Sequence, residues 1–367
     1  MTTHEFYMDI ALNHARTMKG QTDPNPLVGC VIVNHKRIVG IGTHLKAGEP
    51  HAEIHALRMA KEQARGGTLY VTLEPCSHHG RTGPCAEAIV NAGVKKVVIA
   101  TLDPNPIVSG SGIAILKNAG IDVEIGIRER EANKMNEVFN TFIVERRPFI
   151  TLKTGITMDG KIATHTSHSK WITSDAARKD VHQLRHQHMA ILTGINTVLK
   201  DNPALTARIP SGRNPIRIVM DSTLKIPLNY QLVQDQQAET WIFTTMNHDK
   251  EKRKALEALG ITVIVTEDTS MVDPHQVVMY LGKEGVSSLL LEAGGAINAA
   301  FLEQQLIDKV ILYMAPKLIG GKDAPTFLEG TGVETMKEAI ELTDITIEKI
   351  GKDMKWAGYP MYKQNHR

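Results

Sequence analysis

Apolar positions recur at helical spacing over roughly residues 3–19 and again over Ala52–Arg65, the second run closing at Gly66-Gly67. Between them, Val28–Asn34 and Ile38–His44 are β-rich runs joined by the polar turn Asn34-His35-Lys36. Thr68–Leu73 and Lys96–Thr101 read as strands; Cys85–Asn91, Ile113–Asn118 and Glu129–Phe142 read as helices. Strands alternating with helices predict a layered α/β domain. The charged segment Glu145-Arg146-Arg147-Pro148 then closes one domain, and a new strand starts at Phe149. Apolar strands recur at Met189–Thr193, Ile216–Met220, Thr240–Phe243, Thr262–Val265, Ser287–Leu291 and Lys309–Tyr313, with helical stretches between several of them. Ile340–Ile350 and Met354–Tyr362 pair as an antiparallel hairpin turning at Gly351-Lys352-Asp353. The pattern predicts two domains, 1–146 and 147–367, the second a mostly parallel sheet with an antiparallel end.

Length agrees with that division, since 367 residues exceed one ordinary core. The balance of 42 basic against 40 acidic residues leaves a net charge of +2, without the concentrated basic excess of a nucleic-acid binder. A small substrate is expected instead. No apolar run approaches the roughly 18 residues of a membrane span, and the opening MTTHEFYMDIALNHA lacks a signal-peptide core. A cytoplasmic location is expected. Three cysteines argue against a disulfide framework and for metal ligands or core residues.

Two of those cysteines stand in a chemically informative order. His51-Ala52-Glu53 opens a helix, Glu74-Pro75-Cys76 ends a strand, and Pro84-Cys85 opens another helix. One imidazole and two thiolates suit zinc, leaving a fourth position for a water whose pKa the metal lowers. At a helix N-terminus His51 and Glu53 can both face the metal, one as ligand and the other as proton carrier. Cys85, at its own helix start, is favoured as thiolate. His-x-Glu followed by Pro-Cys and a second Cys is the pattern of zinc nucleobase deaminases, in which the Glu is the general acid/base. Here residues 77–84 separate the cysteines, instead of two residues. A closed structural zinc with His78 or His79 as fourth ligand is the competing reading, and Cys30, inside an apolar strand, is expected in the core.

With those residues in place the chain closely resembles the bifunctional deaminase-reductase family of riboflavin biosynthesis over nearly its whole length. In the first domain the resemblance rests on Pro24-Asn25-Pro26-Leu27-Val28-Gly29, His51-Ala52-Glu53, Tyr70–Cys76, the His-His-Gly-Arg-Thr insert and Asp103-Pro104-Asn105-Pro106. Gly83 departs from the proline usual in that family. In the second domain it rests on Thr157–Ala163, Ser169–Thr173, Asp201–Thr206 and Leu291–Gly295. The resemblance implies a cytidine-deaminase-like three-layer domain and a dihydrofolate-reductase-like domain. It implies hydrolytic removal of the 2-amino group from a diaminopyrimidinone ribosylamine 5′-phosphate, with zinc on His51, Cys76 and Cys85 and protons carried by Glu53. It then implies hydride transfer from NADPH to C1′ of the ribosyl group.

Asn25 and His44 are implied ring contacts, although Asn25 also reads as a loop brace and His44 as a strand end. His78 and Arg81 are candidates for the phosphate. Gly155, Trp171, Thr197, Asp201, Ser222 and the Gly294–Ala300 stretch, beginning Gly294-Gly295, are implied cofactor contacts. Lys153, Ser169, Arg185, Leu205, Arg208 and Glu292 are implied substrate contacts. Strand, Gly294-Gly295 and helix together make an anion site, and alone they also read as a tight turn. Arg185 and Arg208 suit a phosphate but read equally as solvated charge; Lys153, within an apolar strand, needs a partner. No Gly-x-Gly-x-x-Gly fingerprint is present, and NADPH over NADH comes from the resemblance. The expected partners are a phosphorylated pyrimidine and further copies of the chain, with no nucleic acid and no membrane. A nucleic-acid base deaminase with an accessory binding domain is the alternative function.

Overall fold

The structure is a computed structural model that describes residues 1–77, 83–105, 109–267 and 270–363. The chain divides into two compact units, Met1–Arg146 and Arg147–Arg367. His78 and Arg81 lie outside the described residues.

In the first unit, α1 (Thr3–Arg16) starts at a capping box in which Thr2 and Glu5 satisfy each other's backbone N–H. The hairpin β1 (Gly29–Asn34) and β2 (Arg37–Thr43) turns at His35 and Lys36, both with positive φ. Then follow α2 (Ala52–Ala60), β3 (Thr68–Val71), α3 (Cys85–Asn91), β4 (Lys96–Ile99), α4 (Ser111–Asn118), β5 (Asp122–Ile125), α5 (Glu129–Met135) and α6 (Glu137–Glu145). The sheet order is β2-β1-β3-β4-β5, antiparallel through β3 and parallel from β3 to β5. Alternate strand residues face opposite cores. Cys30, Ile32, Leu69, Val71, Val97 and Ile99 pack with α2, α3 and α4. Val31, Val33, Tyr70 and Val98 pack with α1 and Ala132 of α5. This is the three-layer α/β/α arrangement expected.

Four local expectations need correction. The second helix ends at Ala60, because Lys61 turns to φ 50° and residues 61–64 continue as a tighter 3₁₀ turn. The strand before Cys76 ends at Val71, so Cys76 sits in a loop. The helix foreseen over Glu129–Phe142 is two helices broken at Asn136, whose amide leaves helical geometry to bond both the N–H and C=O of Leu27 (2.8 and 3.0 Å). The short edge strand β5 carries no clear apolar alternation in Asp122-Val123-Glu124-Ile125 and was not foreseen.

The second unit opens with β6 (Phe149–Thr157) and α7 (Asp175–Gln187), then β7 (Ala190–Gly194), α8 (Ile195–Asp201), β8 (Ile216–Met220), α9 (Gln231–Gln234), β9 (Thr240–Thr244), α10 (Lys250–Ala258) and β10 (Thr262–Val265). It continues through α11 (Pro274–Lys283), β11 (Ser288–Leu291), α12 (Gly295–Glu303) and β12 (Lys309–Ala315) to the hairpin β13 (Glu341–Ile350) and β14 (Asp353–Met361). Among the described residues, nine strands run in the order β10-β9-β8-β7-β11-β6-β12-β14-β13. Every pairing from β10 to β12 is parallel, and β12-β14-β13 is antiparallel. The expected parallel sheet with an antiparallel end is present. Chain reversal through helices leaves the C-terminal ends of the parallel strands open, where such sheets bind ligands.

Candidate active sites

α2 packs its first turn directly on β2: a Cβ at Gly42 would lie 2.0 Å from the carbonyl oxygen of Ala52. That close approach fixes the helix start, where His51 is the N-cap with extended backbone and Glu53 lies in the first turn. Pro84 is the N-cap of α3 and Cys85 its first residue. His51 Nδ1 lies 3.5 Å from Cys76 Sγ and 3.3 Å from Cys85 Sγ, and the three ligand atoms fall within 4.8 Å of one another. Tetrahedral zinc with ordinary Zn–S and Zn–N lengths would place such atoms about 3.6 Å apart. The donor set fits zinc in type and spacing.

The electrostatics agree. Cys76 is drawn down to about 4, chiefly by its hydrogen bond with Cys85, and Cys85 is raised for the reciprocal reason. A hydrogen bond with Cys76 raises His51. Burial pushes Glu53 up to about 7, and its Oε2 is buried without a hydrogen-bond partner among the described residues. The Glu53 carboxyl also meets the Cys85 side chain, and its orphaned oxygen has room for one more group. Cys30 is fully buried in the core, and burial pushes its thiol up.

Asn25 and His44 are brought to the same place. His44 Nδ1 donates to the Pro50 carbonyl (3.3 Å), leaving Nε2 to accept from Asn25 Nδ2 (3.1 Å). The His44 ring meets that of His51 edge-on at 5.5 Å, and its burial lowers its pKa. The loop itself is held by Thr22, whose carbonyl accepts from the Asn25 N–H and whose hydroxyl donates to the Asn25 carbonyl.

In the second unit the supposed solvated charge of Arg185 is mostly buried. Arg185 clasps Glu292 through Nε and Nη2 (both 3.0 Å), and Lys153 reaches the same carboxylate at 3.2 Å. Glu292 is held at about 2: burial raises it, but Arg185 and Lys153 lower it further. Arg185 Nη1 also donates to the carbonyl of Thr206, beside Leu205 in left-handed geometry at φ 51°. These residues form one cluster. Arg208 is exposed, and Ser169 is half-buried.

The cofactor candidates are spread over several elements. Gly155 belongs to β6, and Thr197 and Asp201 to α8. Trp171 is exposed, its ring stacked on Arg178 at 4.3 Å, and neighbouring Lys170 reaches Asp201 at 4.0 Å. Gly294 caps α12 with no side-chain hydrogen bond and open space where a Cβ would stand, so the helix N-terminus is accessible to an anion. At Gly295 a Cβ would meet Glu329 and the Thr326 carbonyl at 2.6 Å. Thr193 Oγ1 and Asn298 Oδ1 are buried without partners among the described residues. Those orphaned groups and the uncapped helix fit a dinucleotide. Ser222 is the exception, since its Oγ is engaged by the N–H of Val272.

Several residues that shape these sites were not singled out. Asp180 accepts from the Tyr313 hydroxyl at 2.5 Å and pairs with Lys355 at 2.7 Å, beside Lys153. Fully buried Arg217 spends its donors on Thr240, Asp235 and three carbonyls. Asp159 binds Thr157 and the backbone of Ile319 and Gly320. These contacts join residues far apart in sequence, so no local pattern announces them.

Residues 148–356 match the RibD C-terminal domain, and residues 1–101 match the cytidine and deoxycytidylate deaminase zinc-binding region. The chain is 44% identical to the riboflavin biosynthesis protein RibD of Bacillus amyloliquefaciens, across 97% of this chain and 96% of that protein. It is 43% identical to RibD of Escherichia coli strain K12, across 95% and 97%. Among solved structures it resembles Acinetobacter baumannii RibD, form 1, with a TM-score of 0.88, 38% identity and coverage of 98% and 99%. A Thermotoga maritima diaminohydroxyphosphoribosylaminopyrimidine deaminase/5-amino-6-(5-phosphoribosylamino)uracil reductase gives a TM-score of 0.83 at 34% identity, covering 98% and 99%. Fold and sites thus define a zinc-dependent deaminase joined to a reductase. The chain belongs to the RibD family of riboflavin biosynthesis. Its cofactors are zinc and NADPH.

Proposed function

We propose that the first unit deaminates 2,5-diamino-6-(5-phosphoribosylamino)pyrimidin-4-one and that the second reduces the ribosyl group of the product to ribityl. The carrying observation is the buried, unpartnered Oε2 of Glu53 beside the His51, Cys76 and Cys85 cluster. His51 through Nδ1, Cys76 and Cys85 hold the zinc, which when bound supplies the Lewis acidity that makes water a nucleophile near neutral pH. Glu53 takes the proton released from that water and delivers it to the departing amino nitrogen, so that water and amine become carbonyl and ammonia. Burial disfavours its charged form, which suits one carboxyl to serve as base and then acid. Asn25, oriented by His44, holds the ring.

In the second unit NADPH, when bound, would supply the hydride for C1′. Gly155, Trp171, Thr197, Asp201, Gly294 and Gly295 would hold the cofactor. Lys153, Ser169, Arg185, Leu205, Arg208 and Glu292 hold the substrate, with Arg185 and Lys153 offering positive charge that Glu292 only partly neutralises. In a coupled assay, ammonia release should precede NADPH oxidation, with stoichiometric zinc in the same sample. Zinc-loaded protein that does neither, or that edits transfer RNA while binding RNA at moderate salt, rejects the reading.

The net charge of +2 supports a small substrate over nucleic acid, and a cytoplasmic enzyme is part of the same proposal; no helix among the described residues is long and apolar enough to cross a membrane. A homo-oligomer is proposed because Leu342, Ile345, Ile347, Met354 and Trp356 stand exposed on the terminal hairpin. Light scattering should give a multiple of 40.5 kDa, and a mass of 40.5 kDa would contradict it.

A further inference from the structure

Glu74, two residues before Cys76, is buried to 4% exposure, and the deamination chemistry gives it no task. Its carboxylate collects four backbone N–H groups. Oε1 accepts from Gly112 (3.1 Å) and Ile113 (3.3 Å); Oε2 accepts from Gly110 (3.0 Å) and Asp103 (3.4 Å). Gly112 and Ile113 lie in the first turn of α4, where backbone donors have no intrahelical acceptor. The helix's own N-cap, Gly110, has no side chain to serve them. Glu74 therefore caps α4 from a distant loop. The fit is close: a Cβ on Gly112 would lie 1.9 Å from the carbonyl oxygen of Pro75, the residue between Glu74 and Cys76. Around this point the Glu74 N–H donates to Thr101, the Cys76 carbonyl accepts from Ala86 of α3, and the Ser77 and Ser111 hydroxyls are 2.6 Å apart.

We propose that Glu74 is a positioning residue for the metal centre, locking the start of α4 and the Asp103 and Gly110 backbone to the Pro75-Cys76 peptide so that the Cys76 sulfur is held at ligand distance. The inference rests on reading His51, Cys76 and Cys85 as zinc ligands. It has a physical basis: β3 ends at Val71, and a thiolate on a free loop would have to be ordered whenever metal binds. A carboxylate presents acceptors alone to four N–H donors. Glutamine would turn an NH₂ group toward two of them.

Coupling between capping and metal is reciprocal, so the first test uses the wild-type full chain. Hydrogen exchange at the Gly110, Gly112 and Ile113 amides is measured with zinc bound and after chelation; exchange should quicken by about tenfold or more without zinc. Wild-type protein that takes up zinc while these amides exchange at unchanged rates overturns the placement alone. Protein that takes up no zinc overturns the ligand reading as well. In the second test, Glu74→Gln should shift the visible bands of the cobalt-substituted protein and weaken zinc binding by roughly 10–100-fold. Leu116→Ala, which loosens the buried side of α4 without touching Glu74, should keep the wild-type bands. Should Glu74→Gln melt earlier with unchanged bands and affinity, or Leu116→Ala shift both equally, Glu74 is a helix cap and nothing more.

Discussion

Glu53→Gln is expected to lower ammonia release by roughly 10²–10⁴-fold, the range for a lost general acid/base, while zinc content and reduction of supplied deaminated substrate stay at wild-type levels. Glutamine has nearly the same shape, so the core around α2 is preserved. One oxygen of Glu53 is buried without a partner among the described residues, and burial has already pushed its pKa to about 7. The native protein accepts the cost of a desolvated carboxyl there, and a neutral amide should lower the melting temperature little or raise it. Activity and stability then move apart, which a merely structural residue would not allow. Metal analysis and the two activities are measured on one preparation. Loss of zinc would make Glu53 a ligand; loss of both activities would point to misfolding.

Much of this site was legible because its chemistry is compact in sequence. His51 and Glu53 are two apart at a helix start, and Cys76 and Cys85 each follow a proline, so residue type and local structure together restrict the geometry. The parallel strands of the second unit were legible for a similar reason: runs such as Ile216–Met220 are apolar apart from Arg217. Residues acting through side-chain-to-backbone bonds over long separations were not. Asn136 breaks an otherwise continuous helical pattern to reach Leu27, and Glu74 caps a helix that starts far beyond it in the chain. Arg217 lies in a strand whose neighbours predict only core, and five hydrogen bonds make its burial tolerable. Arg185 shows the converse. A helix pattern cannot distinguish a solvated arginine from one clasping a buried carboxylate, because the partner arrives from the end of β11.

That cluster supports the second large effect. Glu292→Ala should destabilise the second unit by about 3–5 kcal/mol, the usual result of leaving buried charge without its counter-ion, and should abolish reduction. Arg185 and Lys153 would face each other in the space Glu292 vacates, and each is at most 14% exposed. The pH dependence has a definite sign. The Glu292 carboxyl is held at about 2, below its ordinary value of 4.5. Its stabilising contribution is therefore complete above about 4.5 and is lost as pH falls toward 2. Acid unfolding of Glu292→Ala should lack that share of the slope. Lys153→Met separates fold from chemistry. Burial lowers the Lys153 pKa despite the pull of Glu292, so its ammonium is held at a cost. Removing it leaves the bidentate Arg185–Glu292 pair intact. Stability should be kept or slightly raised while NADPH oxidation on deaminated substrate falls sharply. Equal loss of stability in Lys153→Met and Glu292→Ala would make the cluster a structural ion network, and wild-type reduction by Lys153→Met would remove that lysine from the substrate site.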